Sequence, residues 1–217
     1  MLNPQVSIPV TPLPQAALVA GYLDAVARQA AALPVPAILA LVALLDEVCL
    51  QGRKILLCGN GGSGATASHW ANDLSKGAAG PARPRLRVLA LTDGMPLLTA
   101  LANDLAYEQI FAEQVLTWAE PGDVLIAISG SGNSPNVLRA VACARQRGAH
   151  TVGLTGCGGG RLGALVDLAL VVDCGCMEQI EDAHMIISHA VTSALRARAQ
   201  EGPPLTMVGR LGNGGGR

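Results

Sequence analysis

The stretch that most constrains this chain is residues 54–73, KILLCGNGGSGATASHWAND. An apolar run from Ile55 to Cys58 stops at GNGGSG, residues 59–64, and a helix-like segment follows at once. This reads as strand, glycine-rich turn and helix. The glycines let the backbone approach a ligand closely, and the helix start offers unpaired N–H groups with a favourable field for an anion. Asn60 and Ser63 add side-chain donors, so a phosphate or phosphorylated sugar is the natural guest. In the helix that follows, His69 and Asp73 are four residues apart and share a face. The lysine and spacing of a nucleotide-binding P-loop are missing, and the dinucleotide fingerprint does not fit. Taken alone, the stretch is equally a tight turn with no ligand.

The rest of the chain repeats the strand–helix alternation. Short continuous apolar runs at 86–91, 124–128, 151–154 and 168–172 alternate with helical stretches, the last of them at about 178–198. Such runs separated by helices predict a parallel sheet buried on both faces. The expected fold class is α/β: an open, doubly wound, five-stranded parallel sheet with helices on both faces. Ligands in such folds sit at the carboxyl ends of the strands. Two further helices, at about 14–33 and 36–51, precede the first strand, with prolines at their starts and Gly52 as a stop. A chain of 217 residues suits one such domain, expected over 14–200. Residues 1–13 read as a loose arm and 201–217 as a disordered tail. Half the residues are apolar but only 2% are aromatic, so Ala, Leu and Val must fill the core.

A formal charge of −1 gives no electrostatic argument for nucleic acid or a membrane surface as partner. No run of eighteen apolar residues predicts a transmembrane helix, and the N-terminus has no secretory pattern. The six cysteines are scattered, several within apolar segments, which reads as reduced thiols of a cytoplasmic protein.

A second loop repeats the first design. The strand at 124–128 runs into SGSGNSP, residues 129–135, where Pro135 takes the first position of a helix and Ser134 stands as its expected cap. Three serines converge on one helix start, more than capping requires, and neutral donors suit a phosphomonoester that must be released. Ser129-Gly-Ser131-Gly-Asn133-Ser134 after one strand, with Gly59-Asn60-Gly61-Gly62-Ser63 after an earlier one, resembles the sugar isomerase (SIS) domain family. Within it, the chain is similar over about 15–198 to the phosphoheptose isomerases. These convert sedoheptulose 7-phosphate to a D-glycero-D-manno-heptose 7-phosphate, the first step of nucleotide-activated heptose biosynthesis.

The resemblance implies roles for specific positions. Asn60, Gly61, Gly62 and Ser63 match the first substrate loop, Asn103 and Asp104 a substrate-contacting pair, and Ser129, Gly130, Ser131 and Ser134 the phosphate loop. His69 and Asp73 match a zinc-ligand histidine and a carboxylate that is both ligand and catalytic base. Glu181 matches a ligand that also faces substrate, and His189 a ligand or general acid. It further implies one Zn²⁺ per subunit and a homotetramer with sites at subunit interfaces. The chain departs from the family pattern at Asp73 (commonly Glu), Glu181 (commonly Gln) and Gly130 (often Thr).

Read from spacing, Glu181 and His189 lie eight residues apart, roughly on one helix face, with His184 close to it. Two imidazoles and two carboxylates suit zinc or a similar divalent ion. The same residues are also read as buried polar groups or exposed helix faces. Ketose–aldose conversion needs a base beside a carbonyl and an acid or metal for the enediolate oxygen, with Asp73 and His189 as candidates. A histidine bound to zinc cannot donate a proton from the same nitrogen, so the two roles of His189 are alternatives. The competing readings are a non-catalytic SIS protein, either a replication-initiator-binding or a sugar-phosphate-sensing tetramer, and an isomerase of another sugar phosphate.

Overall fold

The computed structural model describes residues 15–201 other than 79 and 82. Five strands, β1 (Lys54–Gly59), β2 (Arg87–Ala90), β3 (Val124–Ser129), β4 (His150–Thr155) and β5 (Leu168–Val171), form one sheet in the order β2-β1-β3-β4-β5. Every pairing is parallel. The chain leaves β1 toward β2 and then crosses back to lay β3 on the other side of β1. That reversal opens a crevice at the carboxyl ends of β1 and β3, where Gly59 is in register with Ile128.

The described helices are α1 (Ala16–Ala31), α2 (Val35–Leu50), α3 (Gly61–Gly77), α4 (Met95–Asp104), α5 (Ala112–Trp118), α6 (Pro135–Gln146), α7 (Gly160–Leu165) and α8 (Met177–Glu201). The single helical stretch expected between β2 and β3 is divided. Leu105 leaves helical geometry at φ −119° and ψ −89°, and a 3₁₀ turn at Tyr107–Gln109 precedes α5. α8 continues to Glu201, so the first residue of the expected tail is helical. The arm at 1–13 and residues 202–217 lie outside the described residues.

Alternate strand residues face opposite layers, as the pleat requires. Ile55, Leu57, Val124, Ile126, Val152 and Leu154 share one apolar cluster with side chains of α2, α3 and α8. Leu56, Cys58, Leu125 and Ala127 share a second with side chains of α5, α6 and α7. Among the described residues only Trp70 and Phe111 supply large buried aromatic rings, so aliphatic side chains do most of the filling. α1 buries none of its residues, and the Tyr22 hydroxyl donates to Asp182 of α8 at 2.5 Å. No single described helix is long and apolar enough to cross a membrane.

His184, expected near the functional face of α8, lies wholly inside the core instead. Its ring nitrogens find no partner of good hydrogen-bond geometry, and the Thr155 backbone is the polar neighbour that partly opposes the resulting shift. Burial pushes this imidazole down from 6.5 to about 4, because the charged form loses its water. The unfolded chain therefore takes up this proton at a higher pH than the folded one. The stability tied to His184 is complete above pH 6.5 and is lost as the pH falls from 6.5 toward 4. Urea unfolding across that range should show a decline on the order of 2–3 kcal/mol that is missing from His184→Leu. Parallel pH profiles for the two proteins would refute this.

Candidate active site

Both glycine-rich turns reach the crevice between β1 and β3. α3 starts straight after Asn60, and Gly61 takes φ +52°, which glycine adopts without strain. Asn60 occupies the cap position without capping: its carboxamide turns across the crevice to Asn136 on α6. Ser134 likewise stands at the start of α6 but makes no side-chain cap bond, contrary to the expectation from sequence. Its hydroxyl faces that of Ser129 at 3.2 Å, so the first N–H groups of α6 are not covered by it. The Ser131 hydroxyl accepts the backbone N–H of Asn133 at 3.2 Å, and its own hydrogen is left for a ligand.

A small cavity of about 150 Å³ results, lined by Asn60, Ser63, Ser129, Gly130, Ser131, Ser134 and, from α8, Met177 and Glu181. Hydroxyl, amide and helix-start donors converge here with no cationic side chain among the lining residues. Apart from the Glu181 carboxylate at its rim, this is an anion cradle built from neutral donors. Gly62 belongs to it for a steric reason, since a Cβ at this position would overlap the Glu181 carboxylate. Gly130 has a similar reason: a Cβ there would meet the sulfur of Met177, which fills the space a larger residue would occupy. A wider cleft of about 390 Å³ adjoins the cradle and is lined by Asn60, Ser68, Thr92, Thr99 and Tyr107, among others. Asn60 is the wall common to both.

A second constellation sits between α3 and α8, whose Ala67, Trp70, Leu74, Ile187 and Val191 share one apolar cluster. At the edge of that packing, His69 Nε2 lies 3.0 Å from His189 Nε2. Asp73 Oδ2 is 3.3 Å from the first ring nitrogen and 3.5 Å from the second. The three ligand atoms lie within 4.8 Å of one another, on side chains that are partly exposed. Two imidazole nitrogens and a carboxylate oxygen meeting at one point could hold a divalent metal ion.

Glu181 stands apart from this cluster. Eight residues before His189, or about 12 Å along the helix, its carboxylate lies against Gly62 in the cradle. Asn103 and Asp104 end α4, exposed and joined by a 2.8 Å hydrogen bond, and in the single chain they line neither cavity. Asn136 and Tyr107 were not singled out from sequence. An asparagine after Pro135 reads as ordinary helix start, and Tyr107 falls where one unbroken helix was expected.

The SIS domain family matches residues 20–156, which take in β1 to β4 and both glycine-rich loops. The chain belongs to the SIS domain family. Within it, the chain groups with the phosphoheptose isomerases. It is 45% identical to the phosphoheptose isomerase of Nitratidesulfovibrio vulgaris (strain Miyazaki F), over 64% of this chain and 66% of that one. It is 44% identical to that of Thiobacillus denitrificans, over 70% of this chain and 78% of that one. The solved phosphoheptose isomerase of Neisseria gonorrhoeae superposes with a TM-score of 0.78 and 33% identity, covering 83% of this chain and 98% of that one. The SIS fold thus carries the strands, loops and leading helices found here.

If the serine loop of this SIS domain is the phosphate cradle, a Ser131→Ala, Ser134→Ala double variant loses two donors to a charged acceptor. KM for a phosphorylated sugar should rise roughly 10-fold or more. Unchanged steady-state kinetics would remove the loop from the site.

Proposed function

We propose that this chain isomerises sedoheptulose 7-phosphate to D-glycero-D-manno-heptose 7-phosphate, with the phosphate in the serine-lined cradle and the carbonyl end at the His69–Asp73–His189 cluster. The observation that carries the reading is the pairing of an anion cradle, built at the starts of α3 and α6 and closed by α8, with a carboxylate–imidazole cluster further along α3 and α8. Along α8 the two centres are separated by about 12 Å, room for an extended sugar phosphate rather than a small anion. The family relationship supplies the reaction class, aldose–ketose isomerisation.

Asp73 is the base. Its Oδ2 faces the two imidazoles, while its other carboxylate oxygen has no partner among the described residues and is placed to take a proton from the carbon beside the carbonyl. Returning that proton to the neighbouring carbon, while the hydroxyl proton passes from O1 to O2, completes the exchange of ketose for aldose. His69, Asp73 and His189 would hold one zinc ion per subunit, and such an ion, when bound, supplies Lewis-acid polarisation of the substrate carbonyl. Turning His189 Nε2 into the cluster favours its role as ligand over that of free acid. Glu181 brings a carboxylate to the rim of the cradle, a group that accepts hydrogen bonds from sugar hydroxyls.

The assembly we propose is a homotetramer of a cytoplasmic enzyme. Leu18, Val19 and Leu23 of α1, Leu39 of α2 and Met95 of α4 are exposed apolar side chains, more than a free surface of separate helices needs. The partly exposed cluster would then be enclosed by a neighbouring subunit.

Asp73→Asn keeps the shape of the residue and removes the proton acceptor. Turnover should fall roughly 10²- to 10⁴-fold while phosphosugar binding is largely kept, and wild-type turnover in this variant would refute the mechanism. His189→Ala should lose bound zinc together with turnover, whereas full zinc content would return His189 to the role of acid. Light scattering at micromolar concentration should give four chain masses, and a monomer would exclude the proposed assembly.

A further inference from the structure

Asn60 is placed at the wall between the cradle and the wider cleft, and its neighbours determine which of its atoms a ligand meets. The chain of reasoning starts from a backbone group. At the start of α6 the N–H of Val137 donates to Asn136 Oδ1 at 3.0 Å, which settles the orientation of that buried carboxamide. Asn136 Nδ2 therefore points to Asn60 and donates to its Oδ1 at 2.8 Å, and Asn60 Nδ2 returns a bond to Asn136 Oδ1 at 2.9 Å. The second lone pair of Asn60 Oδ1 accepts the Tyr107 hydroxyl at 3.0 Å. A carboxamide oxygen has two acceptor sites and its nitrogen two hydrogens. Both acceptor sites are used, and one N–H is left.

We infer that Tyr107 is a positioning residue that holds Asn60 as a donor-only group, so that the site presents an N–H, and no carbonyl oxygen, to the sugar phosphate. Tyr107 is 58% exposed and contributes little to the core; its hydroxyl is the part that is engaged. The break after α4 is what brings it there, because the 3₁₀ turn at Tyr107–Gln109 carries the side chain back over the crevice. Without that hydroxyl, Asn60 Oδ1 has a free lone pair, and the amide competes for hydroxyl donors instead of selecting an acceptor oxygen. The consequence is selectivity for phosphate, carbonyl or enediolate oxygens at this wall of the site.

The kinetic arm of the test rests on the reading given under Proposed function; the spectroscopic arm does not. In free, ¹⁵N-labelled protein the Asn60 carboxamide signal is assigned by its loss in Asn60→Ser, a change that leaves a residue favoured at a helix start in place. In Tyr107→Phe that signal should shift and its protons should exchange with water several-fold faster. With sedoheptulose 7-phosphate, Tyr107→Phe should raise KM about 3- to 10-fold at nearly unchanged kcat, and should add nothing in the Asn60→Ser background. An unmoved carboxamide signal overturns the inference. So does an unchanged KM, or an equal loss in the Asn60→Ser background, which would mean that Tyr107 touches the substrate itself. Should the wild type fail to turn over sedoheptulose 7-phosphate, the proposed function falls, and the carboxamide signal still decides the role of Tyr107.

Discussion

The parallel pairing of β1 with β3 is the constraint on which the site depends. It places Gly59 opposite Ile128, so the turns that follow the two strands emerge side by side and the helices after them both begin at one point. Each helix start leaves N–H groups without intrahelical partners, and together they make an electropositive cradle from neutral groups. The sheet order matters as much as the loops. Had β2 lain between β1 and β3, the same two sequences would face different crevices. The reciprocal Asn60–Asn136 amide pair bridges the two helix starts directly, and it converts strand register into side-chain geometry.

The second requirement is the packing of α3 on α8. Ala67, Trp70 and Leu74 on one helix, with Ile187 and Val191 on the other, join the same core cluster, and their burial fixes the rotation of both helices. With that rotation set, His69 and Asp73 fall at one edge of α3 and His189 at the matching edge of α8. The polar cluster thus follows from apolar packing. The short reach of Asp73 is compatible with this geometry, because the helices meet closely enough for its Oδ2 to lie near both imidazoles.

Much of this was legible in the sequence, for physical reasons that can be named. Continuous apolar runs mark strands buried on both faces, and glycine–serine turns before helices mark the cradle, so the five strands and residues 60–63 and 129–134 could be placed from spacing and turn chemistry. The resemblance to the SIS family added His69, Asp73, Glu181 and His189 as a ligand group, of which α3 and α8 bring His69, Asp73 and His189 together. Side-chain direction was less accessible. Helical spacing put Glu181 and His184 beside His189, yet Glu181 reaches the cradle through the gap left by Gly62, and His184 turns into the core. The break at Leu105 carries no proline or glycine signal, and so the contact of Tyr107 with Asn60 was hidden inside an expected helix.

The central claim, a proton transfer by Asp73 on a phosphoheptulose, is tested most directly by incubating the wild-type protein with sedoheptulose 7-phosphate in D₂O and following the product by NMR. A proton held on a carboxylate exchanges rapidly with any water that shares the site, so the proton that Asp73 takes is replaced by solvent deuterium. The account predicts an aldose 7-phosphate that carries deuterium at C2. Absence of any aldose phosphate, or complete transfer of the substrate's C1 hydrogen to C2 with no deuterium there, would contradict it.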